Sequence, residues 1–333
     1  MTEPLPIDGC RLPIAAGADP VSRAPGVARG GFSMVELLVA MTLLTLIVLA
    51  LMAVFTSTQR AFRASVTQTD ILEGSRAAME LIVRDLNTMV PSDCGSNYYY
   101  GAASAIYPGA ANFFVTNYSD LANPYKPLIQ PLPGSSLNRT NVVNCFFILG
   151  RENTRWVASG YIVNASSSSP LYPLYRFSAE TNINFNPISL FWNFQNTIYN
   201  AQYYNQWTNL SHVIDGVVQL RLRAYDPKGY QLTNTYQTWN GLWTTNANIV
   251  FTPGTPGGDV GMKFCSNAVP AAVELELGVL EDHALQRAES LGIAGSEPWA
   301  VSAQWKYLQN QSGHVYVFRQ RVTVPNVDPS AYQ

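Results

Sequence analysis

Groups that move protons, attack carbonyls or hold metals are sparse in this chain. It has 3 histidines (His212, His283 and His314) and 4 cysteines (Cys10, Cys94, Cys145 and Cys265). No histidine falls in an H-E-x-x-H pattern, no G-x-S-x-G is present, and no C-x-x-C or zinc-type spacing occurs. His212 and Asp215 read as a turn pair at a strand start, and Glu281, Asp282 and His283 as a solvated turn. No catalytic residue, metal or cofactor is therefore expected. The residue that stands out is Glu36. A carboxylate at the centre of an apolar membrane span costs roughly 2.5–3.5 kcal/mol, and less near an end. Glu36 needs a cationic partner, and no Lys or Arg lies within its span. A cut after Gly31 would create one. The new α-ammonium of Phe32 could pair with Glu36 on its own chain or on a neighbour packed alongside.

The element that must carry Glu36 is apolar and long. From Leu37 to Phe55 there are 19 residues without a charge. As a helix that is roughly 28 Å, close to the ~30 Å hydrocarbon core of a bilayer. Arg23 and Arg29 precede the span and Arg60 and Arg63 follow it, so charge asymmetry alone does not orient it. A secretory signal has a shorter apolar run with small residues after it. Here Gly30 and Gly31 lie before the run, which inverts that geometry. Residues 1–31 are broken by Pro4, Pro6, Pro13, Pro20 and Pro25 and form no helix.

The run Gly31-Phe32-Ser33-Met34-Val35-Glu36-Leu37-Leu38-Val39 resembles the processing site of type IV prepilins and of the pseudopilins of type II secretion. The resemblance implies a leader, residues 1–31, recognised through Arg29 and Gly30 and cut by a prepilin peptidase between Gly31 and Phe32. It implies N-methylation of Phe32 and a role for Glu36 in registering one subunit against its neighbour's N-terminus. The implied fold is α+β: a long N-terminal hydrophobic helix packed against a β-rich globular head. The implied partners are the peptidase, other pilins or pseudopilins in a filament, and inner-membrane lipid. The implied place is the bacterial inner membrane, crossed once, with the head in the periplasm.

Within that frame residues 32–55 form the membrane or filament-core helix and 56–90 its amphipathic continuation. Met79, Ile82, Leu86 and Met89 fall on one face of a 3.6-residue period. Arg76, Glu80, Arg84 and Asp85 take other faces, and Arg76–Glu80 and Glu80–Arg84 are i,i+4 pairs. Gly74 is a weak point where a bend would be cheap, and Pro91 places the stop near Val90. One continuous rod and two separate helices both satisfy this pattern.

Residues 91–333 read as a β-rich extracytoplasmic head. Strands are expected at Val142–Leu149, Arg155–Val163, Leu171–Phe177, Gly216–Tyr225, Ala272–Leu280 and His314–Val324. Asp226-Pro227-Lys228-Gly229 is a turn signal. The segments Leu81–Leu86 with Met89–Pro91, Ile214–Val217 leading to Tyr225-Asp226, and Pro270–Leu275 with Arg287 resemble the minor pseudopilin of the J type. The related W-type minor pilin of type IV pili is the alternative resemblance. Stretches 92–140 and 178–210 look like insertions rich in Asn, Tyr and Pro. Tyr98–Tyr100, Phe191–Phe194 and Tyr203–Trp207 are either loops packed by their own aromatics or a binding face.

Composition bounds the function. Charged residues are 13% and hydrophobic residues 47%, which excludes a disordered chain. The formal net charge of -2 gives no electrostatic footprint for nucleic acid. Cys10 would leave with the leader. Of Cys94, Cys145 and Cys265, two could pair in an oxidising compartment, as Cys94–Cys145 or Cys145–Cys265. The expected function is a non-enzymatic minor pilin or pseudopilin acting near a filament tip. The alternative is an adhesin-like protein displayed by the prepilin route.

Overall fold

The structure is a computed structural model that describes Gly31 and residues 33–94, 110–117, 127–164, 170–199, 209–233, 244–246, 248–252, 260–291 and 303–332. Two compact units are present, one ending at Arg60 and the other starting at Ala61. Helix α1 (Met34–Asn87) has 54 residues and contributes to both.

In the first unit α1 opens with a capping box. The Glu36 N–H donates to Ser33 Oγ at 3.2 Å, and the Ser33 N–H donates to Glu36 Oε2 at 2.9 Å. Two of the helix's orphan donors are thus satisfied reciprocally. Every Leu, Ile, Val, Met and Phe from Met34 to Phe55 is exposed. Thr42, Thr45, Thr56 and Thr58 donate their hydroxyls to carbonyls one turn back. Their polar groups need no external partner, which suits an apolar surrounding. This is a helix long and apolar enough to cross a membrane.

In the second unit α1 supplies Ile71, Ala78, Met79, Ile82 and Leu86 to the core. The helix runs through Gly74. A Cβ there would lie 3.3 Å from Ile214 Cδ1, so Gly74 permits close packing of helix on strand. The helix stops at Asn87, three residues before the expected Val90. Thr88 N and Met89 N then donate to Asp85 O and Leu86 O, tightening the exit.

The strands are β1 (Phe113–Asn117), β2 (Leu128–Pro131), β3 (Asn138–Asn141), β4 (Asn144–Glu152), β5 (Arg155–Val163), β6 (Leu174–Asn182), β7 (Leu210–Ile214), β8 (Val217–Tyr225), β9 (Thr244–Asn246), β10 (Ile249–Thr252), β11 (Gly261–Phe264), β12 (Ala272–Leu280) and β13 (Val315–Thr323). An 8-stranded sheet runs β7-β6-β5-β4-β1-β11-β10-β9, a 3-stranded sheet β13-β12-β8, and a 2-stranded sheet β2-β3. All named pairings are antiparallel. The α+β class is as expected, with a long apolar N-terminal helix and a β-rich head.

The 3-stranded sheet alternates cleanly. Val273, Leu275, Leu277, Leu220, Leu222 and Ala224 face the core, while Glu274, Glu276, Arg221 and Arg223 take the other face. Leu220 N donates to Val142 O at 2.9 Å and ties β8 to the segment before β4. Buried Asn112 spends its whole amide. Its oxygen accepts from Ser92 N and Oγ, and its nitrogen donates to Ser266 O and Ala268 O.

Two expectations need correction. The solvated turn at Glu281–His283 is the start of helix α3 (Asp282–Leu291), whose Ala284, Leu285 and Ala288 are buried. The loop reading of Phe191–Phe194 gives way to helix α2 (Ile188–Tyr199), with Phe191, Phe194 and Ile198 in the core. A Cβ on Gly160 would come within 2.5 Å of the Phe194 ring, so that glycine makes room for the helix. Helix α4 (Ala303–Gln309) packs on α3 and β2.

Candidate functional site

The residues singled out by the sequence begin at the start of α1. Arg29, Gly30 and Phe32 lie outside the described residues. Gly31 is exposed, and a Cβ built on it meets nothing within 4 Å. A side chain would fit there among the described residues. Glu36 is exposed, with one carboxylate oxygen committed to Ser33 N–H. A carboxylate offers about four lone-pair positions, so an ammonium can still bind beside that bond. Sequence reasoning missed the cap. Its signal was the S-x-x-E spacing of Ser33 and Glu36.

A second cluster fixes α1 within the head. Asp85 is buried at the last turn of the helix. Its Oδ2 accepts from Arg176 Nε at 2.7 Å and from Tyr161 Oη at 2.7 Å, and its Oδ1 accepts from Arg176 Nη2 at 3.0 Å. Arg176 also donates to Ser159 Oγ at 2.9 Å. Burial pushes the Tyr161 phenol up, and the Asp85 charge pushes it further. The hydrogen bonds to Asp85 outweigh desolvation at Arg176 and raise its guanidinium. The phenol therefore stays neutral and the guanidinium stays charged, and the cluster works as a bidentate clamp rather than a proton-transfer site. The sequence places Asp85 off the apolar face of the helix, and the structure corrects this: it is buried, because Arg176 and Tyr161 supply its partners.

Cys94, Cys145 and Cys265 are free thiols, so neither pairing weighed from the sequence is formed. Cys145 is fully buried on β4, and burial pushes its thiol up to about 12. Cys265 is buried too, and its thiol is raised by burial despite the nearby Lys263 ammonium. Cys94 is half-buried, with its Sγ 3.4 Å from Asn186 Oδ1.

His212 does pair with Asp215, Nε2 to Oδ1 at 2.7 Å. The pair borders a pocket of about 310 Å³ with Asp70, Gly74, Asp282 and Leu285. Its acids do not converge. Among the described residues no group of 3 or more His, Cys, Asp or Glu side chains is placed to hold a metal ion. His314 Nδ1 contacts Glu281 Oε2 at 2.6 Å.

The aromatic stretches divide. Phe191 packs edge-on against Phe114 and Phe147, and Phe194 against Phe177, so both belong to the core and not to a binding face. Trp192 remains exposed. Tyr98–Tyr100 and Tyr203–Trp207 lie outside the described residues.

Compared with protein-family models, curated proteins and solved structures, the chain matches none.

Proposed function

We propose that this chain is a minor subunit of a type IV pilin-like filament, either a type II secretion pseudopilus or a type IV pilus. It is cut between Gly31 and Phe32 by a prepilin peptidase and methylated on Phe32. The observation that carries the reading is the run from Gly31 to Phe55. An exposed glycine precedes an acid in the first turn of α1, and every large apolar side chain of that helix from Leu37 to Phe55 is exposed. Fully burying each such side chain is worth roughly 1.5–3 kcal/mol, so lipid or partner helices must cover them. A subunit that first sits in the bacterial inner membrane and then moves into a helix bundle meets that need twice. Lipid tails and packed helices are alike in being apolar.

In this reading Glu36 has two tasks. It caps its own helix, and its free lone pairs receive the Phe32 ammonium of a neighbouring subunit. The charge is costly in an apolar bundle unless paired, so it selects the register in which the pair forms. A head of this size is bulky for a unit repeated along a shaft, which favours a place near the tip.

The test separates the two tasks. Glu36→Gln keeps the cap, since Gln serves at that position of a capping box, but removes the charge. Co-purification with partner pilins should fall in Glu36→Gln and Glu36→Ala alike. If Glu36→Gln assembles as the native chain does and only Glu36→Ala fails, Glu36 is a helix cap and the pairing argument is wrong.

A further inference from the structure

Strand β13 forms one border of the 3-stranded sheet, and among the described residues its only strand partner is β12. The register is unbroken over 9 residues, from Ala272↔Thr323 to Leu280↔Val315. Beyond the two ends, Val324 N donates to Ala271 O at 3.0 Å and Glu281 N donates to His314 O at 2.8 Å. In an antiparallel ladder the bonded pairs alternate. Even-numbered residues of β13 therefore bond to β12. The backbone N–H and C=O of Val315, Val317, Arg319, Arg321 and Thr323 point outward, and they meet no partner among the described residues. The far border of the same sheet differs. There β8 is occupied by Val142, by Asn144 Oδ1 and by Leu232.

Long, regular, unpaired edges template strand addition, and folded proteins usually blunt them with bulges, prolines or cover. β13 has no bulge against β12 and no proline. Beside it lies a groove of about 540 Å³ lined by Leu72, Arg76, Met79 and Glu80 of α1 with Phe318, Arg319 and Gln320 of β13. An added strand would set alternate side chains over Leu72, Met79 and Phe318. The others would lie beside Arg319 and Arg321.

Charge narrows the occupant. On the polar face Glu276 receives Arg319 Nη2 at 2.9 Å, and Glu274 receives Arg223 Nη1 at 2.5 Å. Arg321 lies over the Tyr225 ring at 3.9 Å and has no carboxylate partner among the described residues. The arginines Arg221, Arg223, Arg319 and Arg321 outnumber Glu274 and Glu276 on this face. A second copy paired about the centre of β13 would oppose Arg319 to Arg319. A helix cannot satisfy an edge of outward N–H and C=O groups. We infer that β13 is a docking edge for an extended segment of a partner protein in which acidic and apolar residues alternate. The segment adds as a fourth strand, with acids beside Arg319 and Arg321 and apolar side chains in the α1 groove. The inference stands on β13 and does not depend on the filament reading.

The test uses the full chain in a nonionic detergent. The probe is a labelled synthetic peptide of alternating Glu and Val, matched to β13 in length, with a Lys/Val peptide as control. The Glu/Val peptide should bind, and it should slow exchange of the Val315, Val317, Arg319, Arg321 and Thr323 amides. Val317→Pro removes an outward N–H at a position where an edge strand tolerates proline, and should weaken binding at least about tenfold. Arg321→Glu should invert the preference toward the Lys/Val peptide, a readout that survives if the proline variant misfolds. No binding at millimolar peptide would overturn the inference. So would equal binding of both peptides to the native chain, no inversion in Arg321→Glu, or self-association of the chain lost in Val317→Pro, which would make the occupant a second copy.

Discussion

Replacing Asp85 with alanine removes the acceptor of three hydrogen bonds, two from Arg176 and one from Tyr161. The guanidinium keeps its bond to Ser159 Oγ but loses its only carboxylate partner among the described residues, inside the head. Breaking a buried ion pair from one side costs about 3–5 kcal/mol, because the remaining charge stays desolvated. The Arg176 side chain is 22% exposed and Asp85 7%, so some water reaches the orphaned cation. That puts the expected cost at the lower end, about 3 kcal/mol, or roughly two decades in the folding equilibrium. Tyr161→Phe removes one neutral donor and should cost less, about 1–1.5 kcal/mol. The assay is urea unfolding of the full chain in detergent, followed by near-ultraviolet circular dichroism from the core aromatics. A double-mutant cycle of Asp85→Ala with Arg176→Met then isolates the coupling. If Asp85→Ala cost under ~1 kcal/mol, or less than Tyr161→Phe, the clamp would not be what holds the end of α1 in the head.

Three further outcomes follow from the same structure. Under native conditions an alkylating reagent should modify Cys94 first, while Cys145 and Cys265 react only after unfolding; rapid native labelling of Cys145 would contradict its burial and raised thiol. Gly160→Ala should cost about 1–3 kcal/mol in the urea assay, with part of it restored by Phe194→Leu, since the new methyl meets the Phe194 ring at 2.5 Å. The third concerns acid. Burial pushes the Glu274 carboxyl up, but the Tyr225 and Arg223 hydrogen bonds and the Arg223 and Arg319 charges outweigh it and leave it below its ordinary value. A carboxylate held low when folded adds stability above its unfolded pKa, and loses it as pH falls from the unfolded pKa through the folded one. Acid unfolding of the native chain should therefore carry a component below about pH 4.5 that Glu274→Gln lacks, and identical profiles would refute it.

The sequence was most informative where a period was long. Arg155–Val163 and Ala272–Leu280 agree end to end with β5 and β12, because their residues are buried over a full strand. Val142–Leu149, Leu171–Phe177, Gly216–Tyr225 and His314–Val324 found β4, β6, β8 and β13 with shifted ends. β1 was missed, although it sits between β4 and β11 in the large sheet. Five residues are too few for a period to show, and its register is set by neighbours far along the chain. α2 was missed because Asn-rich and aromatic stretches have weak helix propensity, and here tertiary packing of Phe191 and Phe194 decides. α3 hid behind Glu281 and the two polar residues that open it, Asp282 and His283, although Ala284, Leu285 and Ala288 already carried helical spacing. The start of α1 was legible as a chemical anomaly through Glu36. Its local role as a cap was equally legible in the spacing to Ser33 and went unread. The Asp85 clamp was not legible, since Tyr161 and Arg176 reach it from distant strands.

The central claim is that the chain is processed at one peptide bond ahead of a lone acid. Intact-mass and N-terminal fragment spectra of the protein extracted from the cells that produce it test it most directly. The expected product is a mature chain starting at Phe32 with a methyl group on its nitrogen. Its Gly31→Ala counterpart should stay unprocessed while keeping the native fold. A chain that retains residues 1–31, starts elsewhere, or is processed equally well in Gly31→Ala would contradict it.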